Sequence, residues 1–551
     1  MEEEKKDIST EEVEEVEKND NSLNLKDEKP KKKKGGVVLI LLLLLLACGS
    51  CYFIFYNPSG KKETKKADVD VKEVKGEYRM SGNSLENFDL VFLKLENEAK
   101  NKVYSPLSIK YALEMLAEGA DGETRAQLDA VIGDYEARKY DNNEHMSFAN
   151  AMFIRDSFKD SIRKEYTDNL STKFGAEVIT DSFQSANTIN SWVSEKTLKL
   201  IDKLFQDDEV GELNFVLANA LAIDMSWTNK LQCTDENFNP QLTNEIPCKE
   251  YSVEYDHENY SDWVSSIGGE DGYPAMTFNG IENIKSTKIG ASLNNYDIIS
   301  DLGEDNIRNT ISKEYQEWLD EGNCGGPEQN PDVNTYVDQF VKDLGSNYHK
   351  VDVSSDFYIY DDEEIKAFAK DLQEYNGTTL QYVGIMPKTV ELTNYVDGFD
   401  SEKANTIIKN LKEIKSENFK DGVVTKIVGN IPLFKFDYEL DLLTDLQKLG
   451  IKDVFDINKA NLTKMLDGGT KQYIAKAKHM ANIEFSNNGI KAAAVTAMGG
   501  KGAAGCWFEH LYDVPVETID ITFDKPYMYI IRDKSTGEVW FAGTVYEPIK
   551  K

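Results

Sequence analysis

Near its C-terminus the chain reads Gly489-Ile490-Lys491-Ala492-Ala493-Ala494-Val495-Thr496-Ala497-Met498-Gly499-Gly500-Lys501-Gly502-Ala503-Ala504-Gly505. The run is small-residued and nearly free of bulk, yet strand-forming sequence surrounds it. Such a tract suits an exposed loop, or a strand that must slide into a crowded place. A strand turns alternate side chains to opposite faces. The even positions Ile490, Ala492, Ala494, Thr496, Met498, Gly500 and Gly502 carry no charge, whereas Lys491 and Lys501 share the odd face. Burying an unpaired lysine costs several kcal/mol. The parity therefore leaves one face fit for a core and keeps both cations wet.

Working outward, the tract lies in a long globular region. Ile519 to Arg532 and Glu538 to Tyr546 read as two strands joined by Lys534-Ser535-Thr536-Gly537. Phe215 to Met225 is a near-continuous apolar strand, as expected in the middle of a covered sheet. Leu85, Phe88, Val91 and Leu95 recur at helical spacing, and a second helical pattern spans Ile189 to Leu204. Ser105-Pro106 reads as an N-cap followed by proline at the first helical position of a helix that Gly119 stops. Helices come early and strands late, which predicts one large α+β domain over residues 80–551.

The N-terminal part has three compositional zones. Residues 1–36 are charged and poor in apolar side chains, a composition that predicts disorder. Residues 37–56 contain no charge, and twenty residues at helical rise span about 30 Å, the thickness of a bilayer core. Residues 57–79 are a charged linker. Lys26, Lys29 and Lys31 to Lys34 flank the apolar run on one side, against Lys61, Lys62, Lys65 and Lys66 on the other. This bias predicts a signal-anchor helix with the tail in the cytoplasm and the large domain outside. An alternative anchor is a lipid on Cys48, since Leu45-Leu46-Ala47-Cys48 is similar to a bacterial lipoprotein cleavage box.

Acidic residues outnumber basic ones, 97 to 63, for a net charge of −34. Such a polyanion has no electrostatic reason to bind nucleic acid. Four of the six cysteines, Cys233, Cys248, Cys324 and Cys506, fall in the large domain. So few in so large a domain indicate a fold that does not depend on disulfides, with Cys233–Cys248 a candidate bridge. Neither these cysteines nor the scattered histidines have zinc-ligand spacing, and the acidic run Asp361 to Glu364 lacks the spaced ligands of a calcium loop. No Ser–His–Asp set at motif spacing and no phosphate loop stand out, so neither an enzyme nor a bound cofactor is expected.

Five motifs in order resemble the serpin family. Ser105-Pro106-Leu107-Ser108-Ile109 is similar to its helix start, and Asn190-Ser191-Trp192-Val193 to its Asn-x-Trp-Val helix. Leu217-Ala218-Asn219-Ala220-Leu221 with Trp227 resembles its Val-Asn-Ala strand and following tryptophan. Asn482-Ile483-Glu484-Phe485 leads into the hinge, and Asp524-Lys525-Pro526-Tyr527 with Phe541-Ala542-Gly543 resembles the closing strands.

The resemblance implies a serpin fold, with helices around a large central mixed sheet, smaller sheets and an exposed reactive loop near residues 487–515. It implies a monomeric suicide inhibitor whose partner is an extracellular serine or cysteine protease. The cleaved loop inserts into the central sheet and traps the acyl-enzyme, a release of stored strain for which the family is known. Carried over by position, the hinge is Gly489, Ile490, Lys491, Ala492, Ala493, Ala494, Val495 and Thr496. The shutter that controls sheet opening is Ser105, Ser108, Asn219 and His479, and Trp227 marks the breach. The family's spacing puts the reactive bond between Ala503 and Ala504, with Lys501 as the alternative bait.

The chain departs from the family's pattern in three places. Asn487-Asn488 stands where a Glu pair is usual, Ile490 where a smaller residue is usual, and Gly489 to Pro526 is longer. The extra length carries Cys506-Trp507-Phe508-Glu509-His510-Leu511-Tyr512, read as an exposed aromatic patch that is either a second bait or a docking element for a partner. Residues of about 264–345 form an insertion. It holds two amphipathic helical patterns, Ile307-Ile311-Tyr315-Trp318 and Tyr336-Phe340-Leu344, around a turn at Cys324 to Pro327. The altered hinge and long loop keep a second class open, a non-inhibitory binding or chaperone module on the same fold.

Overall fold

The computed structural model describes residues 76–228, 233–234, 246–247, 275–321, 331–347, 357–467, 471–486, 489–490, 508, 510, 512 and 515–550. The expected anchor at 37–56 and the hinge and bait positions Lys491 to Thr496, Lys501, Ala503 and Ala504 lie outside them, as do Cys48, Cys248, Cys324 and Cys506. Among the described residues no helix is long and apolar enough to cross a membrane.

The rigid base of the molecule is a seven-stranded sheet in the order 102–104, 539–545, 527–533, 380–387, 365–371, 357–361 and 412–413, antiparallel throughout. Every residue of Leu380–Pro387 and Val539–Val545 is buried, which explains why these strands read as continuous apolar runs rather than as alternations. Their packing is close enough to require glycine at position 543. A Cβ there would collide with the Lys102 carbonyl oxygen and the Tyr529 hydroxyl.

The central layer comes in two halves. In the first, β1 (Met146–Arg155) pairs in parallel with β2 (Glu177–Asp181) and antiparallel with β3 (Phe215–Ile223), which continues as β4 (Met225–Ser226). A separate four-stranded sheet begins with β5 (Ala275–Phe278), β6 (Ile281–Asn294) and β7 (Val424–Pro432). The second central half is β8 (Phe434–Asp441) against β9 (Lys478–Phe485), in register from Phe434↔Phe485 to Asp441↔Lys478, followed by the two-residue strand β10 (Gly489–Ile490). Finally β11 (Val516–Asp520) pairs in parallel with β7 to close the four-stranded sheet.

Behind the central layer runs α1 (Pro106–Gly119). The Ser105 side chain caps it by accepting from the Ser108 N–H, and Pro106 occupies the first turn, where no intrahelical donor is needed. The helix α2 (Asn187–Lys196) stops well before the expected Leu204. Thr197 Oγ1 accepts the Ile201 N–H at 3.1 Å, and Asn190 Oδ1 accepts from Leu204 and Phe205. Side chains that offer the backbone other partners end helices in this way. Likewise, the strand expected from Ile519 to Arg532 is two strands, because Pro526 has no N–H to give a ladder and the chain turns over Asp524 and Lys525.

Residues 264–345 also divide differently from the expectation. Residues 275–294 are strands β5 and β6 of the sheet framework. What projects is the helical set α3 (Ile298–Leu302), α4 (Glu304–Asp320) and α5 (Val333–Asn347). Ile307, Ile311 and Tyr315 of α4 and Val337, Val341 and Leu344 of α5 are buried on one stripe each, so the two helices share a small core of their own.

Candidate functional site

Among the described residues no backbone pairing joins β3 to β9. The two halves of the central layer face each other across a cleft of about 730 Å³. Its floor is Ile109, Leu113 and Leu116 of α1, its walls run along residues 214–221 and 471–481, and Leu442, Leu446 and Phe455 close its far end. At the near end β10 is already seated between the halves. Ile490 stands opposite both Phe485 and Met225, and Gly489 opposite Ser226. The expected hinge therefore begins as a strand paired on both sides, with residues 222–223 and 482–484 between it and the lining of the cleft. The indole N–H of Trp227, fully buried, donates to the Ser486 carbonyl at 3.0 Å, and the ring packs edge-on against Phe485. That contact holds the approach to the hinge.

Ser105, Ser108, Asn219 and His479 all line this cleft. The Ser105 N–H donates to His479 Nε2 at 2.8 Å, so the neutral ring keeps its proton on Nδ1. Burial pushes His479 down to about 4, which preserves that acceptor at neutral pH. Asn219 sits apart from this set. Its amide donates to Asn150 Oδ1 at 2.7 Å, and Asn150 in turn donates to the Phe174 carbonyl at 2.9 Å. Asn219 Oδ1 is buried with no hydrogen-bond partner among the described residues. Sequence reasoning missed Asn150; the available signal was an amide in the middle of the largely apolar strand β1.

Where backbone pairing is missing, side chains fasten the two walls. Glu209, from the turn preceding β3, bonds Lys478 at 2.8 Å and Lys476 at 3.1 Å, and Asn214 donates to Gln472 at 3.0 Å. Desolvation alone would raise the Glu209 carboxyl, but the Gln206 N–H and the two lysines hold it down to about 2. None of Glu209, Lys476 and Gln472 was singled out from the sequence, because their pairing crosses more than 250 residues.

Of the segment expected to be an exposed aromatic patch, the described residues Phe508, His510 and Tyr512 are half-buried. Phe508 packs edge-on against Tyr315 and Tyr336, with ring centroids 5.4 and 5.7 Å apart, and the Tyr336 hydroxyl donates to the Phe508 carbonyl at 3.1 Å. His510 Nδ1 lies 2.6 Å from Glu314 Oε2, and Tyr512 approaches Phe340. The apolar stripes of α4 and α5 supply this platform, which could not be located before the insertion was placed in space.

A family model described as Serpin (serine protease inhibitor) matches residues 88–248 and 333–548. The chain belongs to the serpin family. Mouse neuroserpin is 24% identical to this serpin over 479 residues, spanning 83% of the chain and 88% of the relative. Human leukocyte elastase inhibitor is 23% identical over 494 residues, spanning 86% and 100%. The solved native structure of the thermophilic serpin tengpin superposes with a TM-score of 0.52 at 20% identity, covering 85% of this chain and 97% of that one. At such identity the structural match speaks for the fold, an α+β serpin fold with a large antiparallel sheet and smaller ones.

Proposed function

We propose that this serpin is a suicide inhibitor of extracellular serine or cysteine proteases, tethered at its N-terminus by the apolar run 37–56. Cleavage of the bait, at Ala503–Ala504 or beside Lys501, frees the upstream strand to enter the cleft. The single observation that carries the reading is β10, paired with β9 on one side and β4 on the other, in the layer whose halves β3 and β9 flank an open cleft. An entering strand also brings backbone donors to Asn219 Oδ1, the unpaired acceptor on the wall.

The deciding measurement incubates the full chain with elastase-like, trypsin-like, subtilisin-like and papain-like enzymes. The expected outcome is a complex that survives SDS, with the released peptide locating the cut by mass spectrometry. Ordinary turnover, with no gain in thermal stability after cleavage, would instead support the binding or chaperone module.

A further inference from the structure

Glu209 reaches Lys476 and Lys478 from a helix of only four residues, Asp207–Val210. So short a helix has no stability of its own, and the fastening it carries is only as firm as the groups that hold it. At its start the Gln206 N–H donates to Glu209 Oε2 at 2.8 Å, and Asp207 Oδ1 accepts the Ala186 N–H at 2.9 Å. At its far end the hold is a guanidinium. Arg155, the last residue of β1, donates from Nη2 to the Val210, Gly211 and Leu213 carbonyls at 3.2, 2.8 and 2.6 Å, and from Nε to Leu213 at 2.8 Å. A guanidinium offers five donors in a rigid fork, which suits it to several carbonyls at once. Its Nη1 donates to the Ser182 carbonyl at 3.1 Å, and the group lies over the ring of Phe183, 5.2 Å from the centroid. Phe183 is buried in a left-handed conformation, φ 54°, which is unfavourable for a bulky residue.

We infer, on the reading of the cleft as the slot that a cleaved strand enters, that Arg155 is a positioning residue for the Glu209 fastening: its fork fixes the turn at 210–213 so that the Glu209 carboxylate stands over Lys476 and Lys478 across the cleft. The side-chain hydrogen bonds of Arg155 all go to backbone carbonyls, so it sets the course of the chain rather than a neighbour's charge. Its own backbone N–H donates to the Asn214 carbonyl at 2.9 Å, and the Asn214 side chain is the one that donates to Gln472. Glu209 and Asn214, the two side chains that reach over from this wall, therefore both stand within one residue of a carbonyl that Arg155 holds. The residue that governs how firmly the walls are joined touches neither of the lysines. A lysine at 155 would keep the charge but not the fork.

The test uses the full chain with Arg155→Met, Arg155→Lys and Glu209→Gln, and reads the Glu209 contact directly. A water-soluble carbodiimide activates a carboxylate, and a lysine amine within reach displaces the activating group to leave an amide between the two side chains. Peptide mass mapping counts the Glu209–Lys476 and Glu209–Lys478 amides against an internal standard, the Lys435–Glu484 pair at 2.8 Å on β8 and β9. Relative to that standard the Glu209 amides should fall about tenfold in Arg155→Met, as expected for the loss of a charge-assisted hydrogen bond. They should fall about threefold in Arg155→Lys, which decides the matter should the methionine variant not fold. Glu209→Gln supplies the blank. Wild-type yields in folded Arg155→Met would overturn the assignment, and so would an equal fall in the Lys435–Glu484 amide, the mark of a general loosening. The same variants are then cleaved at the bait, and the gain in thermal midpoint is followed in time. Arg155→Met should gain it at least as fast as Glu209→Gln, and adding Glu209→Gln to it should speed it no further. Further speeding in the double variant would overturn the action through Glu209. Cleaved wild type that gains no stability would overturn the insertion reading, while the amide yields would still decide what positions Glu209.

Discussion

The seven-stranded sheet and the split central layer are built from comparably apolar strands, yet they are finished in different ways. In the first, every strand has its neighbour, the faces are covered, and a single methyl at position 543 has nowhere to go. In the second, β3 and β9 face each other without backbone pairing; Glu209 and Asn214 reach across to the β9 side, and the Ser105–His479 contact ties β9 to the start of α1. Ladder hydrogen bonds and packing make the scaffold; side-chain fastenings that can be undone make the slot. The same chain thus holds a region at its packing limit beside one kept short of it.

Gly543→Ala is the strongest way to break that contrast. The Lys102 carbonyl is backbone and cannot rotate away, so the variant should lose about 4 kcal/mol in urea denaturation, at the upper end for overpacking. A small loss would mean that the scaffold yields as readily as the slot.

The slot should respond instead to pH. His479 is held at about 4, below its ordinary 6.5. The unfolded chain therefore binds the extra proton between those values, and stability present above pH 6.5 drains away as pH falls towards 4. The loss should be on the order of 3 kcal/mol and be missing from His479→Gln. A flat wild-type stability curve over that window would refute the burial of a neutral His479. Glu209 acts in a lower window. Its folded value of about 2 lies below the ordinary 4.5, so its contribution is full above pH 4.5 and is lost as pH falls through 2. Because its pairs are partly exposed, Glu209→Gln should remove only about 1 kcal/mol at neutral pH. The same variant should raise the rate of loop insertion after cleavage; an unchanged rate would sharpen the comparison by moving the barrier to His479.

Much of the fold was legible because the deciding signals were local. The Ser105-Pro106 cap and the apolar run from Phe215 each carry their meaning within a few positions. The two amphipathic stripes at 304–320 and 333–347 were legible for the same reason. Boundaries failed where a side chain competed with the backbone, as Thr197 and Asn190 do at the end of α2, or where a proline interrupted a run that hydrophobicity alone would continue. The four residues expected to form the shutter line one cleft, with Asn219 bonded apart from Ser105 and His479, yet Asn150, Glu209 and Gln472 stayed hidden, since nothing near them in sequence announces a distant partner. Phe508, His510 and Tyr512 were read as exposed for the same reason: their neighbours come from α4 and α5.

The pairing of Gly489 and Ile490 has a kinetic consequence. Joining a free chain end to a sheet normally requires a search and the entropy of closing a loop before any contact rewards it. On the proposed inhibitor mechanism that nucleus exists before a protease arrives. Strand entry then becomes propagation from a formed zipper tooth, one residue pair at a time, and its pace is governed by the fastenings ahead of the front rather than by the odds of starting.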